Sequence, residues 1–361
     1  MVPTLEMLHR HFEAEILEVD RALVAYFDRF DWPPSHYGMI RYHFGYADRD
    51  LRPRAAEDYL PRGKRLRPLI CSLFCRLFAL PTDTAVVVIM ATEVMHAASL
   101  AHDDIEDHDA VRWGRPTLQS AFGIEQAINV GDSLIGVVYQ LLLSLSARGV
   151  DPAVVIKVLD VFNSTHLRMC EGQHLDLRYR YSDDLSVAEY LDMVSRKTAA
   201  PCVCIADAIS ILGDSPAETR DTLKRFGQNL GILYQICDDI RGIWSAPDAL
   251  GRQVGQDVSQ RRASLPLLYG FKHGSAALRE MLQRASRRAE ALDDADLAFI
   301  RQELTTCGAR RLSHGEAVRY YEAALAALAD LGREGREIEM LRGILGAAFA
   351  SVDAADAAGI G

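Results

Sequence analysis

Along this chain, apolar residues recur at steps of three and four in long blocks, and alternating Val-, Ile- and Thr-rich stretches of the kind that form strands are few. The pattern predicts helices over about 4–30, 63–79, 83–109, 123–148, 151–181, 186–213, 216–245, 263–288, 294–306 and 315–351. The joints carry helix punctuation: Pro81-Thr82-Asp83, Gly149-Val150-Asp151-Pro152, Ser182-Asp183-Asp184 and Gly213-Asp214-Ser215-Pro216. No fixed-period repeat and no shift in composition marks a boundary. The expectation is therefore all-α: an N-terminal helix and irregular segment over 1–62 packed on the bundle, one large helical bundle over 63–350 around a central apolar cavity, and a flexible tail over 351–361. Residues 31–62, rich in Tyr, His, Arg and Pro, receive no predicted element.

Composition narrows the partners rather than the fold. The 361 residues are 49% apolar and 25% charged, ordinary for a soluble globular chain, and the net charge of -10 repels phosphate backbones and anionic membrane surfaces. Nucleic acid is not an expected partner. Seven cysteines, an odd number spread through apolar segments, read as reduced thiols packed like small hydrophobes. Cys71-x3-Cys75 and Cys202-x-Cys204 lack partners at zinc-site spacing. Glu6, Glu13 and Glu15 stand where a signal peptide needs apolar length, and the most apolar stretch, Ala85 to Leu100, is interrupted by Glu93 and His96. Stable membrane insertion is not expected, and a cytoplasmic location is.

Four Asp-Asp pairs occur, and their settings differ. Asp183-Asp184 and Asp293-Asp294 follow loop residues and read as helix N-caps. Asp103-Asp104 and Asp238-Asp239 instead interrupt apolar runs in mid-helix, where burying acids requires a reason. Asp103 and Asp107, four apart, stack on one helical face with Asp104 beside them, so three carboxylates converge. Divalent cations with carboxylate and phosphate oxygens relieve such repulsion. Two acidic clusters on separate helices would face each other across a cavity as a cradle for metal and diphosphate. Counter-charges accompany them. Gly63-Lys64-Arg65-Leu66-Arg67-Pro68 opens a helix, where backbone N–H groups and cationic side chains favour an anion; Arg112 follows the first cluster; Lys197-Thr198 lies in a small-residue helix; and Arg252, Arg261 and Arg262 follow the second cluster.

Taken in order, Gly63-Lys64-Arg65-x-Arg67-Pro68, His96, Asp103-Asp104-x-x-Asp107, Arg112 with Gly114-x-Pro116-Thr117, Gly131-Asp132, Glu171-Gly172-Gln173-x-x-Asp176, Lys197-Thr198 and Gln235-x-x-Asp238-Asp239 resemble the trans-isoprenyl diphosphate synthases, the polyprenyl synthetase family. The stretch from Gly251 to Pro266 is similar to the bacterial geranylgeranyl diphosphate synthase-like branch. The resemblance implies a helical fold of the isoprenoid synthase type, Mg2+ dependence with three ions alongside bound diphosphate, and a homodimer. It implies that Asp103, Asp104, Asp107, Asp238 and Asp239 bind the metal, that Arg112, Lys197 and Gln235, with Arg252, contact the allylic prenyl diphosphate, that Lys64, Arg67 and His96 hold isopentenyl diphosphate, and that Trp113, Thr198 and Arg262 are further substrate-binding positions.

Three departures from the family pattern matter. The second acidic motif ends in Gly242, one carboxylate short. Arg252 and Arg262 stand where the family has Lys, trading a compact ammonium for a planar fork. Trp113 occupies the place of an Arg that the family uses on isopentenyl diphosphate. Losing one charge-assisted contact costs about 1.5–3 kcal/mol, roughly tenfold to a hundredfold in affinity. Chain elongation is the leading reading. A terpene synthase that ionises and cyclises one polyprenyl diphosphate, with aromatic faces on the carbocation, and a non-catalytic partner subunit remain as alternatives. Ala98 and Ser99, small and about one turn before Asp103, leave room for products or substrates of twenty carbons or more.

Overall fold

The structure is a computed structural model that describes residues 5–30, 33–60, 63, 65–180, 182, 184–245, 258, 262–288 and 292–357. Apart from two strands of two residues each, its regular elements are helices. The chain divides into two compact units.

The first unit holds Leu5–Asn163 and Ile205–Pro216. It contains α1 (Leu5–Phe27), α2 (Pro34–His43), α3 (Leu66–Leu77), α4 (Thr82–Glu106), the strands β1 (Val111–Arg112) and β2 (Arg115–Pro116), α5 (Leu118–Phe122), α6 (Ile124–Leu143) and the first part of α7 (Pro152–Tyr179). Its centre is the pair α4 and α6. Val87, Ala91, Val94, Ala98 and Ala101 on α4, and Ala127, Val130, Leu134, Val137 and Leu141 on α6, are buried at alternating steps of three and four. This is one continuous apolar stripe per helix, each large aliphatic side chain contributing about 1.5–3 kcal/mol by leaving water. Gly131 lets α6 close on α4, because a Cβ there would run into the imidazole of His102. The N-terminal segment belongs to this unit, with α1 packed on α3 and α4 and α2 on α6. α4 and the helical stretch 124–148 are long and apolar enough to cross a membrane, but 72% of the most apolar window of α4 is buried inside the protein, as befits a core helix.

The second unit holds Ser164–Cys204 and the chain from Ala217 onward. After α7 come α8 (Val187–Val194), a π-helical turn (Ser195–Ala199), the start of α9 (Ala200–Leu212), whose remainder from Ile205 belongs to the first unit, and then α10 (Ala217–Trp244), α11 (Leu265–His273), α12 (Ala276–Arg288), α13 (Asp294–Thr306), α14 (Ala309–Asp330) and α15 (Arg336–Ala357). α10 packs on α14 and α15, and α11 on α14.

Several expectations change in detail. The segment without a predicted element contains α2 and a short 3-10 turn, Ala56–Asp58. The helix expected over 315–351 is two helices, α14 and α15, joined through Gly332 and Gly335, both at positive φ. α15 continues to Ala357, so 351 does not end it, and 358–361 lie outside the described residues. Asp293 does cap α13, its carboxylate accepting from the Asp296 N–H at 2.8 Å. The cap of α8 is Ser186, which forms a reciprocal capping box with Glu189, rather than the Asp pair before it; Asp183 lies outside the described residues.

Candidate active site

In the first unit, the acidic cluster forms at the C-terminal end of α4. Asp107 caps the helix with its N–H on the Asp103 carbonyl at 2.9 Å, so the four-residue register that stacks the two carboxylates holds to the last turn. Asp104 faces inward and is buried. The β1–β2 hairpin brings Arg112 back over this end: its Nε donates to Asp104 Oδ1 at 2.5 Å, and its Nη2 lies 3.4 Å from both Asp103 Oδ2 and Asp109 Oδ2. Burial pushes the Asp104 carboxyl up to about 7, against the pull of Arg112 and with help from the Asp103 and Asp109 charges. Those carboxylates raise the Arg112 guanidinium further above its usual range although burial opposes them. Arg112, expected on the allylic diphosphate, is thus the cation that neutralises the cluster here.

The hairpin joins Arg112 to Arg115 through Trp113 and Gly114, both at positive φ, the two-residue loop that matches strand twist. Trp113 takes up a conformation usually left to Gly, Asn or Asp. Its indole faces Gly63, where a Cβ would come within 3.1 Å of Nε1, and the Arg115 guanidinium lies 5.9 Å from its ring centroid. Arg115 in turn donates to the carbonyls of Tyr42 and His43 at the C-terminal end of α2. Arg67 and His96, drawn together by the sequence reading, do meet, with Nη1 and Nε2 3.1 Å apart. Ala98 is buried, and the Ser99 hydroxyl returns to the His96 carbonyl at 2.8 Å.

In the second unit, Lys197 and Thr198 sit on the π-helical turn, an irregularity that recurs at functional sites. Lys197 Nζ donates to Asp176 Oδ2 on α7 at 2.7 Å, and Thr198 Oγ1 donates to Gln235 Oε1 on α10 at 2.9 Å. Gly172 on α7 and Gly231 on α10 permit this approach, since a Cβ on either would strike the backbone of Lys197 or of Ala199. Asp238 is half-buried and pairs with Arg241 at 3.1 Å.

Asp239, expected as a metal ligand, is placed as a buried internal acceptor: Tyr190 Oη at 2.6 Å and the Leu265 N–H at 2.9 Å donate to Oδ2, and Gln235 Nε2 donates to Oδ1 at 2.8 Å. It ties α10 to α8 and to the start of α11. Tyr190 escaped the sequence reading, and Asp176 stood in it only within the Glu171-Gly172-Gln173-x-x-Asp176 motif, with no partner assigned. Arg262 lines a pocket with Tyr179, Arg180 and Ser264. Lys64 and Arg252 lie outside the described residues.

Among the described residues, no three His, Cys, Asp or Glu side chains form a closed metal cage. Mg2+ does not require one. It binds through one or two carboxylates supplemented by substrate phosphates and water, and the all-oxygen donors Asp103 and Asp107 in the first unit, and Asp238 in the second, are each of that kind.

Residues 51–302 match the family model described as Polyprenyl synthetase. The chain belongs to that family. Among its relatives, a geranylgeranyl diphosphate synthase of Mycobacterium tuberculosis is 30% identical over 290 residues, covering 80% of each chain. A (2E,6E)-farnesyl diphosphate synthase of the same organism is 28% identical over 296 residues, covering 81% of this chain and 79% of that one. The solved structure of a polyprenyl synthase from Caulobacter crescentus CB15, complexed with calcium and isoprenyl diphosphate, superposes with a TM-score of 0.81 at 26% identity, over 97% of this chain and 98% of that one. The polyprenyl synthetase fold expected from the motifs is therefore the fold found.

Proposed function

We propose that the chain is a prenyl diphosphate synthase that joins an allylic prenyl diphosphate to isopentenyl diphosphate, giving a trans product of twenty carbons or more. The observation that carries this reading is the Arg67–His96 pair at 3.1 Å. A cyclase acting on one diphosphate has no use for a second anion site, whereas elongation requires it. Family membership and the solved relative with calcium and isoprenyl diphosphate support the same class of ligand.

In this reading, Asp103, Asp104, Asp107 and Asp238 would hold Mg2+, which neutralises charge on the departing diphosphate. Lys197, Thr198, Gln235 and Arg112 take the allylic diphosphate, Lys197 carried by Asp176 and Gln235 by Thr198. Arg112 exchanges carboxylate partners for phosphate oxygens, both bound through its planar fork. Arg262, and Arg252 where the family pattern has Lys, would add cations for the diphosphate, as the resemblance implies. Lys64, Arg67 and His96 hold the isopentenyl group with its double bond at the allylic carbon. The allylic C–O bond breaks, that double bond supplies the electron pair for the new C–C bond, and loss of a proton restores an alkene five carbons farther on. Trp113, whose indole is spent on Gly63 and Arg115, is a packing residue of the hairpin in this scheme. A second copy of the chain covers the apolar residues α6 exposes, Ile128 and Leu143 among them, in a cytoplasmic homodimer.

The test is incubation with Mg2+ and geranylgeranyl diphosphate alone, then with farnesyl and isopentenyl diphosphates, followed by analysis of hydrocarbons and dephosphorylated alcohols. Elongated alcohols from the second mixture are expected. Hydrocarbon from the first with no elongation in the second selects the terpene synthase reading instead.

A further inference from the structure

We propose that Asp20, Arg65 and Glu93 form a buried positioning triad that sets the turn ahead of α3 and, through it, the reach of Arg67 toward isopentenyl diphosphate; the inference rests on the elongation reading above. Arg65 stands between Lys64 and Leu66 with φ 45° and ψ 33°, a left-handed conformation that side-chain-bearing residues avoid. Its guanidinium is enclosed: Nη2 lies 2.9 Å from Asp20 Oδ1 and Nε 3.1 Å from Glu93 Oε2, and the three side chains are only 10%, 12% and 7% exposed. Tyr46 Oη fixes Asp20 from a further side at 2.8 Å.

Of the cations in Gly-Lys-Arg-x-Arg, Arg65 therefore faces inward and spends its charge on the protein. Glu93 and His96 are three residues apart on α4, so they are neighbours on one helical face. They receive Arg65 and Arg67 in the same order, which fixes the register of the turn against α4. Upstream, Gly63 is covered by Trp113. A strained residue persists when its surroundings over-determine it, and here two carboxylates from α1 and α4 do so. Asp20 comes from α1, outside the stretch 51–302 that matches the family. The N-terminal helix thus contributes to substrate recognition without touching substrate.

The experiment titrates isopentenyl diphosphate, without divalent metal, into the full-length protein and into Asp20→Asn and Arg65→Gly, and measures steady-state elongation of farnesyl diphosphate in parallel. Arg65→Gly keeps the left-handed backbone accessible but removes the anchor. Both variants are expected to weaken isopentenyl diphosphate about tenfold in Kd and in KM, leaving kcat and the KM for farnesyl diphosphate within about twofold. Asp20→Glu should recover part of the loss. Unchanged isopentenyl diphosphate affinity in both variants, equal weakening of both substrates, or a wild-type protein that does not bind isopentenyl diphosphate would overturn the proposal. Wild-type protein that binds it without elongating refutes the elongation reading alone, and the titrations still judge the triad.

Discussion

Replacing Asp239 by Ala should destabilise the protein far more than replacing Asp238, although the two acids are adjacent and identical in sequence. Removal of the Asp239 carboxylate leaves the Tyr190 hydroxyl and the Leu265 N–H buried without their acceptor. Each orphaned donor costs about 1–3 kcal/mol, so the pair costs roughly 2–6 kcal/mol, a large share of the 5–15 kcal/mol typical of a folded chain. Gln235 keeps Thr198 and adds little. Asp238 has a side chain 30% exposed and pairs with Arg241 three residues on, an interaction worth less than about 1 kcal/mol. Urea unfolding followed by circular dichroism in metal-free buffer measures both. A shifted midpoint at unchanged slope is expected for Asp239→Ala, and near wild-type stability for Asp238→Ala with its activity lost. Equal stability losses in the two variants would refute the assignment of Asp239 as an internal anchor.

Tyr190 carries a pH signature. Burial, then the Asp239 charge, raises its phenol well above the usual 10.0, so its stabilisation is complete below that value and is lost as pH rises past it, at up to about 1.4 kcal/mol per pH unit. Tyr190→Phe should flatten the alkaline limb of a stability-against-pH curve, and an unaltered limb would contradict the buried geometry. Ala98→Phe should shorten the product, read by chromatography of the dephosphorylated alcohols; unchanged length would exclude the α4 wall as the ruler. Trp113→Arg should lower the KM for isopentenyl diphosphate about tenfold or more by supplying a charge-assisted contact. A higher KM would show that the indole supports the turn at Gly63 more than an added cation helps the ligand.

Asp103, Asp104 and Asp107 lie at helical spacing in an apolar run, so their grouping was legible from periodicity, whereas that of Arg67 with His96 came only from the resemblance to the family. Asp238 and Asp239 looked equivalent because a sequence does not say which of two adjacent positions, about 100° apart round a helix, faces inward. The hairpin at Trp113 rests on strands of two residues, too short for alternation to show. Asp20 is one of several acids on α1, with Glu13, Glu15 and Glu18, and nothing sets it apart until α3 and α4 bring Arg65 and Glu93 to it. The break between α8 and α9 at Ser195–Ala199 precedes Pro201, which has no N–H to return to the Lys197 carbonyl and crowds it with its ring, while Gly172 and Gly231 leave room for the turn.

That wide turn also has an arithmetic. Holding one residue more per revolution, it lets consecutive side chains, Lys197 and Thr198, address two different helices, and it rotates all of α9 by about 100° from the course α8 would have set. Because the extra residue is taken up inside the turn, losing a single codon there would restore an ordinary α turn and leave Cys202, Cys204 and Ile205 facing the interior. Such a deletion should therefore disturb the partners of Lys197 and Thr198 rather than the packing of α9.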